Sequence, residues 1–251
     1  MRARKPSALK ISSLKASSLS AAVVDPVQPA PLQVRGLFDR IAADYDRFNA
    51  WASLGLHHRW RRALTRRIPA GVRVLDIATG TGDVAFQAQQ GHEVVGLDFS
   101  EAMLARAREK DATRKIRWIN GSADRLPFSD RSFGCVTSAF ALRNLRSILD
   151  GVFHENFRIL RSGGVVLHMD FGRPVSPISR LGHHLHVTYG VPFLGQHICG
   201  DRWPKGYLEG TIEQFYAPAE VEERLSRAGF SRIHHTPLLW GTVVLYEAWK
   251  A

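Results

Sequence analysis

Two aspartates 22 residues apart, Asp76 and Asp98, bracket the part of this 251-residue chain best suited to hold a small charged ligand. Asp76 lies in the run Val74-Leu75-Asp76-Ile77-Ala78-Thr79-Gly80-Thr81-Gly82-Asp83. Apolar β-formers lead into glycines and then into a helical pattern, the strand–turn–helix that cradles nucleotide-type ligands. Glycines let the backbone come close, and the helix N-terminus offers free N–H groups. Asp98 ends the next apolar run, where an acid can accept hydrogen bonds from both ribose hydroxyls. A third run is followed by Gly121-Ser122-Ala123-Asp124-Arg125-Leu126-Pro127-Phe128, where an adenine would lie. Backbone groups near Ser122 and Ala123 can read a base edge there.

Two cofactors use this geometry. Gly80-x-Gly82-x-x-Ala85 is a passable dinucleotide fingerprint. With Asp76 four residues before the first glycine and Asp83 directly after the second, the loop also resembles the S-adenosylmethionine loop of class I methyltransferases. Carboxylates beside the loop suit an ammonium group and repel a diphosphate. S-adenosylmethionine is therefore the expected cofactor, with Asp76, Gly80, Gly82 and Asp98 as candidate contacts.

The elements that must position these residues follow from hydrophobic periodicity. Leu37, Phe38, Ile41, Tyr45, Phe48 and Trp51 recur at helical spacing, and an arginine-rich helix is expected over about 57–68. Strands are expected over 72–77, 92–97, 116–119, 133–140 and 165–171, with helices over 83–90, 101–110 and 147–160. Ser100 is placed to cap the helix that starts at Glu101. Alternating strands and helices predict an α/β, Rossmann-like fold with a mostly parallel seven-stranded sheet. A helix over 219–228 and an antiparallel strand pair, 231–236 with 242–249, close the chain. Residues 172–217, broken by Pro174, Pro177, Pro192 and Pro204, read as the least regular part and as a lid over the acceptor site.

Hydrophobic residues make up 45% and charged residues 23%, which excludes wholesale disorder, collagen and coiled coil. No apolar run reaches the ~18 residues of a membrane-spanning helix. Two cysteines, Cys135 and Cys199, supply neither a disulfide framework nor a zinc ribbon. The net charge of +11 points to an anionic partner. Part of it belongs to residues 1–31, a basic, serine-rich leader ending in a linker over Asp25–Pro31 that should not pack. Its composition fits an organelle transit peptide or an untargeted bacterial N-terminus. Residues 32–251 are expected to form one domain, with N-terminal helices over 32–70.

At this level of detail the sequence resembles the C-methyltransferases of ubiquinone and menaquinone biosynthesis, the demethylmenaquinone methyltransferase family. Tyr45-Asp46-x-x-Asn49-x-x-x-Ser53-x-x-x-His57-x-x-Trp60 is similar to that family's N-terminal signature. Phe38-Asp39-Arg40-Ile41-Ala42, Thr79-Gly80-Thr81-Gly82-Asp83, Leu126-Pro127-Phe128, Phe140-Ala141-Leu142-Arg143-Asn144 and Gly241-Thr242-Val243-Val244-Leu245 agree with it. The likeness runs from about Val34 to Lys250. It implies cofactor contacts at Thr81, Asp98, Ser122, Ala123 and, near the end of the fourth strand, Ala139. Departures stand at Gly134, Ala139, Ala141, Ser162 and, within Met169-Asp170-Phe171-Gly172, at Met169, Asp170 and Gly172, and they are expected to collect where strands four and five meet the acceptor.

The resemblance implies methylation of a ring carbon of a reduced prenyl quinone. The sulfonium is already an activated electrophile, so catalysis is mainly alignment and exclusion of water. A cation that favours the phenolate should help. Arg143 is the candidate catalytic residue; with a pKa above ~12 it stabilises an anion or orients a water rather than acting as a base. Tyr45, Asn49 and His57 are candidates for one wall of the acceptor site, and Asp170 for pairing with a substrate hydroxyl.

His183, His184, His186 and His197 lack zinc-ligand spacing, and no metal is expected. His183–Tyr189 reads instead as an amphipathic part of the lid. The stretch Arg59–Arg67 is either a solvated face or a foothold on anionic lipid beside a membrane-dissolved quinone. This gives a cytoplasmic protein peripheral to the inner membrane, organellar if the leader is a targeting peptide, with a homodimer compatible. An RNA methyltransferase would explain loop and charge, but Ala139–Asn144 lacks the Asn/Asp-Pro-Pro-aromatic loop of exocyclic-amine enzymes. Other phenolic acceptors and a non-catalytic scaffold subunit are the remaining rivals.

Overall fold

Val74–Ile77 forms β1, every residue of it buried, as befits a central strand covered by helices on both faces. Around it lie β2 (Val94–Asp98), β3 (Arg117–Asn120), β4 (Phe133–Ala139), β5 (Leu160–Phe171), β6 (Ser231–Leu238) and β7 (Val243–Trp249) in the order β3-β2-β1-β4-β5-β7-β6. Strands β1 to β5 are mutually parallel, and β7 runs antiparallel to β5 and β6. The computed structural model describes residues 30–174 and 176–251, so the expectations for the leader up to residue 29 lie outside the described residues.

Strand alternation divides the interior into two cores. Leu75 and Ile77 join Val152 and Phe153 of α6 (Leu149–Ile159) and Val221 and Leu225 of α10 (Pro218–Arg227). Val74 faces the other way, onto Leu64 of α3 (Leu56–Thr65) and Val84 and Ala85 of α4 (Asp83–Ala88). A third cluster belongs to a cap over the carboxyl ends of the strands. It joins Val34 and Leu37 of α1 (Pro31–Ile41) and Phe48 of α2 (Tyr45–Ala52) to Val191 of α8 (Val191–Cys199) and Tyr207 of α9 (Tyr207–Gln214).

Several expectations are corrected. The helix expected through Leu37–Trp51 is two helices, because the chain turns at 42–44, where Asp44 is held by Arg47 and Arg202. Pro31, assigned to a non-packing linker, opens α1, where its missing N–H costs nothing. The same effect accounts for residues 172–217, which are largely helical. Pro177 opens α7 (Pro177–Leu185) and Pro192 lies in the first turn of α8, with a π-turn over His186–Gly190 joining the two. Gly163 and Gly164 lie inside β5 rather than before it, beside a register irregularity opposite Phe133–Cys135.

Candidate active site

The strand order reverses between β1 and β4, and ligands in open α/β sheets bind in the crevice at such a switch point. Here the crevice is a cleft whose walls include Gly80 after β1, Asp98 at the tip of β2, Ser122 and Ala123 after β3, and Ala139 at the tip of β4. Asp98 is fixed by backbone donors. Its Oδ2 accepts from the Gly80 N–H at 2.7 Å and its Oδ1 from the Ser100 N–H at 2.9 Å. Burial pushes this carboxyl up to about 6, against the pull of those N–H groups. Ser100 in turn caps α5 (Glu101–Lys110) by accepting from the Met103 N–H at 3.1 Å, as expected.

The other expected cofactor residues brace the loop from behind. Asp76 points between sheet and helices and accepts from the Thr79 hydroxyl at 2.5 Å and the Thr137 hydroxyl at 2.8 Å. Burial raises its carboxyl to about 7. The acid assigned to the ammonium group therefore stands outside the cleft lining, because a residue inside β1 projects from the sheet face rather than from the strand's end. Thr81 donates to Asp46 at 2.5 Å, tying the loop to α2. Gly82 has a φ of +89°, and a Cβ there would meet the Trp118 ring at 2.6 Å and the Phe86 ring at 2.9 Å. This glycine serves aromatic packing.

The cleft fits S-adenosylmethionine better than a dinucleotide. Among the described residues no lysine or arginine lines it, while Asp98 does. A diphosphate would find no counter-charge in it and would be repelled by the Asp98 carboxylate, whereas a cationic sulfonium ligand faces no like charge. Pro31, Val34 and Phe38 of α1 close one side, and Phe99 and Asn144 stand on the walls. None of these five was singled out from the sequence as a contact. For Asn144 the Leu-Arg-Asn motif was the available signal.

Beside the cleft lies a cavity of about 270 Å³ whose surface is almost wholly apolar. Phe38, Tyr45 and Phe140 line both spaces and form a shared wall. The few polar groups of the cavity include the expected Tyr45, Asn49, His57 and Arg143, together with Ser53, Arg61 and Tyr207. Burial pushes the Tyr207 hydroxyl up, so it stays protonated, and it donates to Asn144 Oδ1 at 2.9 Å. Since Asn144 lines the cleft, this bond links the two spaces. His183 and His186 also line the cavity from the α7 side; His186 Nε2 lies 2.9 Å from the Ala52 carbonyl oxygen.

Arg143 reaches the cavity as one half of a buried ion pair. Its Nη1 donates to Asp170 Oδ1 at 2.6 Å and to the Phe140 carbonyl at 2.7 Å, and its guanidinium lies 5.0 Å from the centre of the Phe171 ring. Its Nε is buried without a partner. Asp170 is fully buried and also accepts from the backbone N–H groups of Arg143 and Phe171. The direct contact expected between Asp170 and a substrate hydroxyl is thus replaced by a hold on Arg143.

The departures from the family pattern do not collect at the site as expected. Gly134 is the second residue of β4, at the opposite end of the sheet, where a Cβ would meet Val72 Cβ at 2.7 Å. Ser162 is exposed on β5. Gly172 is required locally, since a Cβ would lie 2.6 Å from the Gly241 carbonyl oxygen. Of the departures only Ala139 and Ala141, both in the cleft, touch ligand space, and none lines the acceptor cavity.

A Rossmann-like sheet of this order, with an acid-lined cleft at its switch point and an apolar cavity behind one wall, defines a class I S-adenosylmethionine-dependent methyltransferase. The chain belongs to the ubiE/COQ5 methyltransferase family, whose model matches residues 28–250. It is 33% identical over 218 residues to the ubiquinone/menaquinone biosynthesis C-methyltransferase UbiE of Desulfotalea psychrophila, covering 85% of this chain and 88% of that one. It is 35% identical over 224 residues to the demethylmenaquinone methyltransferase of Clavibacter sepedonicus, covering 88% and 91%. Among solved structures, a methyltransferase from Thermotoga maritima, described as a possible histamine N-methyltransferase, superposes with a TM-score of 0.61 at 17% identity, covering 87% of this chain and all of that one. That likeness shows the fold.

Proposed function

We propose that the chain methylates a ring carbon of a reduced prenyl quinone precursor, taking a demethylmenaquinol to a menaquinol. The observation that carries this reading is the apolar cavity of about 270 Å³ sharing a wall with the cofactor cleft. A dry protein cavity of about 150 Å³ takes one benzene ring, so this one has room for a bicyclic ring. The names of the Desulfotalea and Clavibacter relatives agree with such a substrate.

When bound, S-adenosylmethionine supplies an electrophilic methyl group. Asp98 and the backbone at 121–123 hold it, and Phe38, Tyr45 and Phe140 orient the ring across the shared wall and exclude water. Asp170 fixes Arg143, whose charge on the cavity wall favours the ionised ring oxygen.

The prenyl tail sets the partner surface. Trp51, Leu54, Ile178, Tyr189, Phe193 and Trp240 are 60–86% exposed, and they lie on the segments that frame the cavity. Exposed Arg59 and Arg62 stand on neighbouring α3, and exposed Arg66 caps its C-terminal end. We assign this face to an anionic bilayer surface, from which the ring enters the cavity while the tail stays in lipid. No helix among the described residues is long and apolar enough to cross a membrane.

The test is methyl transfer from labelled S-adenosylmethionine to a short-chain demethylnaphthoquinol, with its oxidised quinone, a benzoquinol and tRNA alongside. Label in the naphthoquinol alone is expected. Label only in the benzoquinol or in another phenol would change the substrate, and label in tRNA or in nothing would overturn the reading.

A further inference from the structure

We propose that His57 Nε2 is the proton acceptor for the ring hydroxyl of the substrate, and that Ser53 is the positioning residue that selects the tautomer able to do this. The inference rests on the quinol reading above.

Ser53 and His57 lie one helical turn apart across the start of α3, and the Ser53 oxygen makes three contacts. It lies 2.7 Å from the Asn49 carbonyl oxygen, 2.6 Å from His57 Nδ1 and 3.3 Å from the His57 backbone N–H. A hydroxyl carries one hydrogen. The carbonyl cannot donate, so that hydrogen must go to Asn49; otherwise two acceptors would face each other at 2.7 Å. The Ser53 oxygen is then an acceptor toward the ring, and the proton of the neutral imidazole must sit on Nδ1. Nε2 is left with its lone pair, without a hydrogen-bond partner among the described residues, on a ring that lines the acceptor cavity.

The surroundings keep the imidazole in this form. Burial, helped by Arg61 and His58, lowers its pKa to about 4, against the opposite pull of Asp83 and Asp46. Those acids are engaged elsewhere, Asp83 with Arg61 and Lys110, Asp46 with Thr81 and Lys110. His183, His186, Arg143 and Tyr207 face the same cavity. Arg61 lies one turn beyond His57, with its guanidinium 5.6 Å from the centre of the Phe140 ring on the shared wall. Its charge opposes an imidazolium but favours a phenolate, so the transfer is driven from the side of the anion and the proton is held only briefly on His57.

In the reaction the hydroxyl O–H bond breaks, its proton passes to Nε2 and the electron pair moves into the ring. The ring carbon forms its bond to the methyl group as the methyl–sulfur bond breaks. The carbon's own hydrogen then leaves to solvent as a proton, His57 returns its proton to the oxygen, and one proton is released overall.

Single-turnover transfer to a short-chain demethylnaphthoquinol, followed against pH, tests this in wild type, His57→Gln, His57→Ala and Ser53→Ala. Nitrogen NMR of histidine-labelled protein reads the tautomer independently of turnover. Wild type should show Nδ1 protonated and an acid limb near 4 rather than at the about 6.5 of a free imidazole. His57→Gln should lose about 10²–10⁴-fold in rate at neutral pH while binding S-adenosylmethionine normally. Its deficit should close for a fluorinated naphthol already ionised at the assay pH, and free imidazole should restore part of the His57→Ala rate. Ser53→Ala should mix the tautomers and slow transfer less. Should His57→Gln fail to fold, Ser53→Ala carries the test. Wild-type rates in His57→Gln, or a deficit equally large for the ionised naphthol, would overturn this inference alone. Wild type inert on every quinol would overturn the reading beneath it as well.

Discussion

In the candidate cofactor cleft the lining comes from consecutive strand ends: Gly80 after β1, Asp98 on β2, Ser122 after β3 and Ala139 on β4. The acceptor cavity is assembled from α1, α2, α3, the segment after β4, the α7–α8 pair and α9. The cleft is the more polar of the two, anchored by backbone hydrogen bonds and already required by the sheet's topology. The cavity is apolar, and its polar groups are held by side chains distant in sequence, as Asp170 holds Arg143 and Asn144 holds Tyr207. Chemistry shared by many enzymes of this fold is built on the rigid sheet. What distinguishes this chain is built on the helical cap.

The largest expected effect falls on the cavity side. Arg143→Ala strands the Asp170 carboxylate in the interior, and breaking such a buried pair costs about 3–5 kcal/mol. Urea unfolding should register that loss, and methyl transfer should collapse, while calorimetry finds cofactor affinity in the remaining folded protein little changed. A matching loss of cofactor affinity would mean that the two halves are not separable.

Asp98→Ala is the counterpart on the cleft side. Losing hydrogen bonds to a charged group costs about 1.5–3 kcal/mol, so cofactor affinity should fall by one to two orders of magnitude. Binding of an apolar dye in the cavity should not change. The pH dependence follows from the same carboxyl. Ribose hydroxyls need the ionised form as acceptor, and burial holds that ionisation up at about 6. Affinity should be constant above that pH and weaken about tenfold per unit below it. In the free protein the sign reverses. Asp98 and Asp76 favour the fold while protonated, and that contribution is lost as pH rises through about 6 and about 7.

Tyr207→Phe probes the link between the halves. It removes one hydrogen bond to Asn144, worth about 0.5–1.5 kcal/mol, and should weaken ligand binding modestly on both sides. The smallest effect on chemistry is expected from exchanging Ile178 and Phe193 for serine. Transfer to a short-chain quinol should be unchanged, whereas cosedimentation with anionic vesicles should fall. Unchanged vesicle binding, or dimers that dissociate in the variant, would move that face from lipid to a second copy.

The difference between the halves also explains what could be read in advance. Asp98, Ser100 and the loop glycines are legible because strand, turn and cap chemistry lie within a few residues of one another. Spacing alone does not show which way Asp76 turns; its position inside β1 aims it at Thr79 and Thr137 rather than into the cleft. The helices of 172–217 were hidden by prolines that open them rather than break them. Arg61 and Tyr207 carried no usable signal. They join the site only through the packing of α3 and α9 onto the cap, which no local pattern records.

The most direct test of the shared wall is a crystal structure with S-adenosylhomocysteine and a short-chain demethylmenaquinone. The nucleoside is expected against Asp98 and Ser122 and the quinone ring in the cavity between Phe38, Tyr45 and Phe140 on one side and His57 and Arg143 on the other. A ring bound anywhere else, with the cavity closed, would contradict that placement.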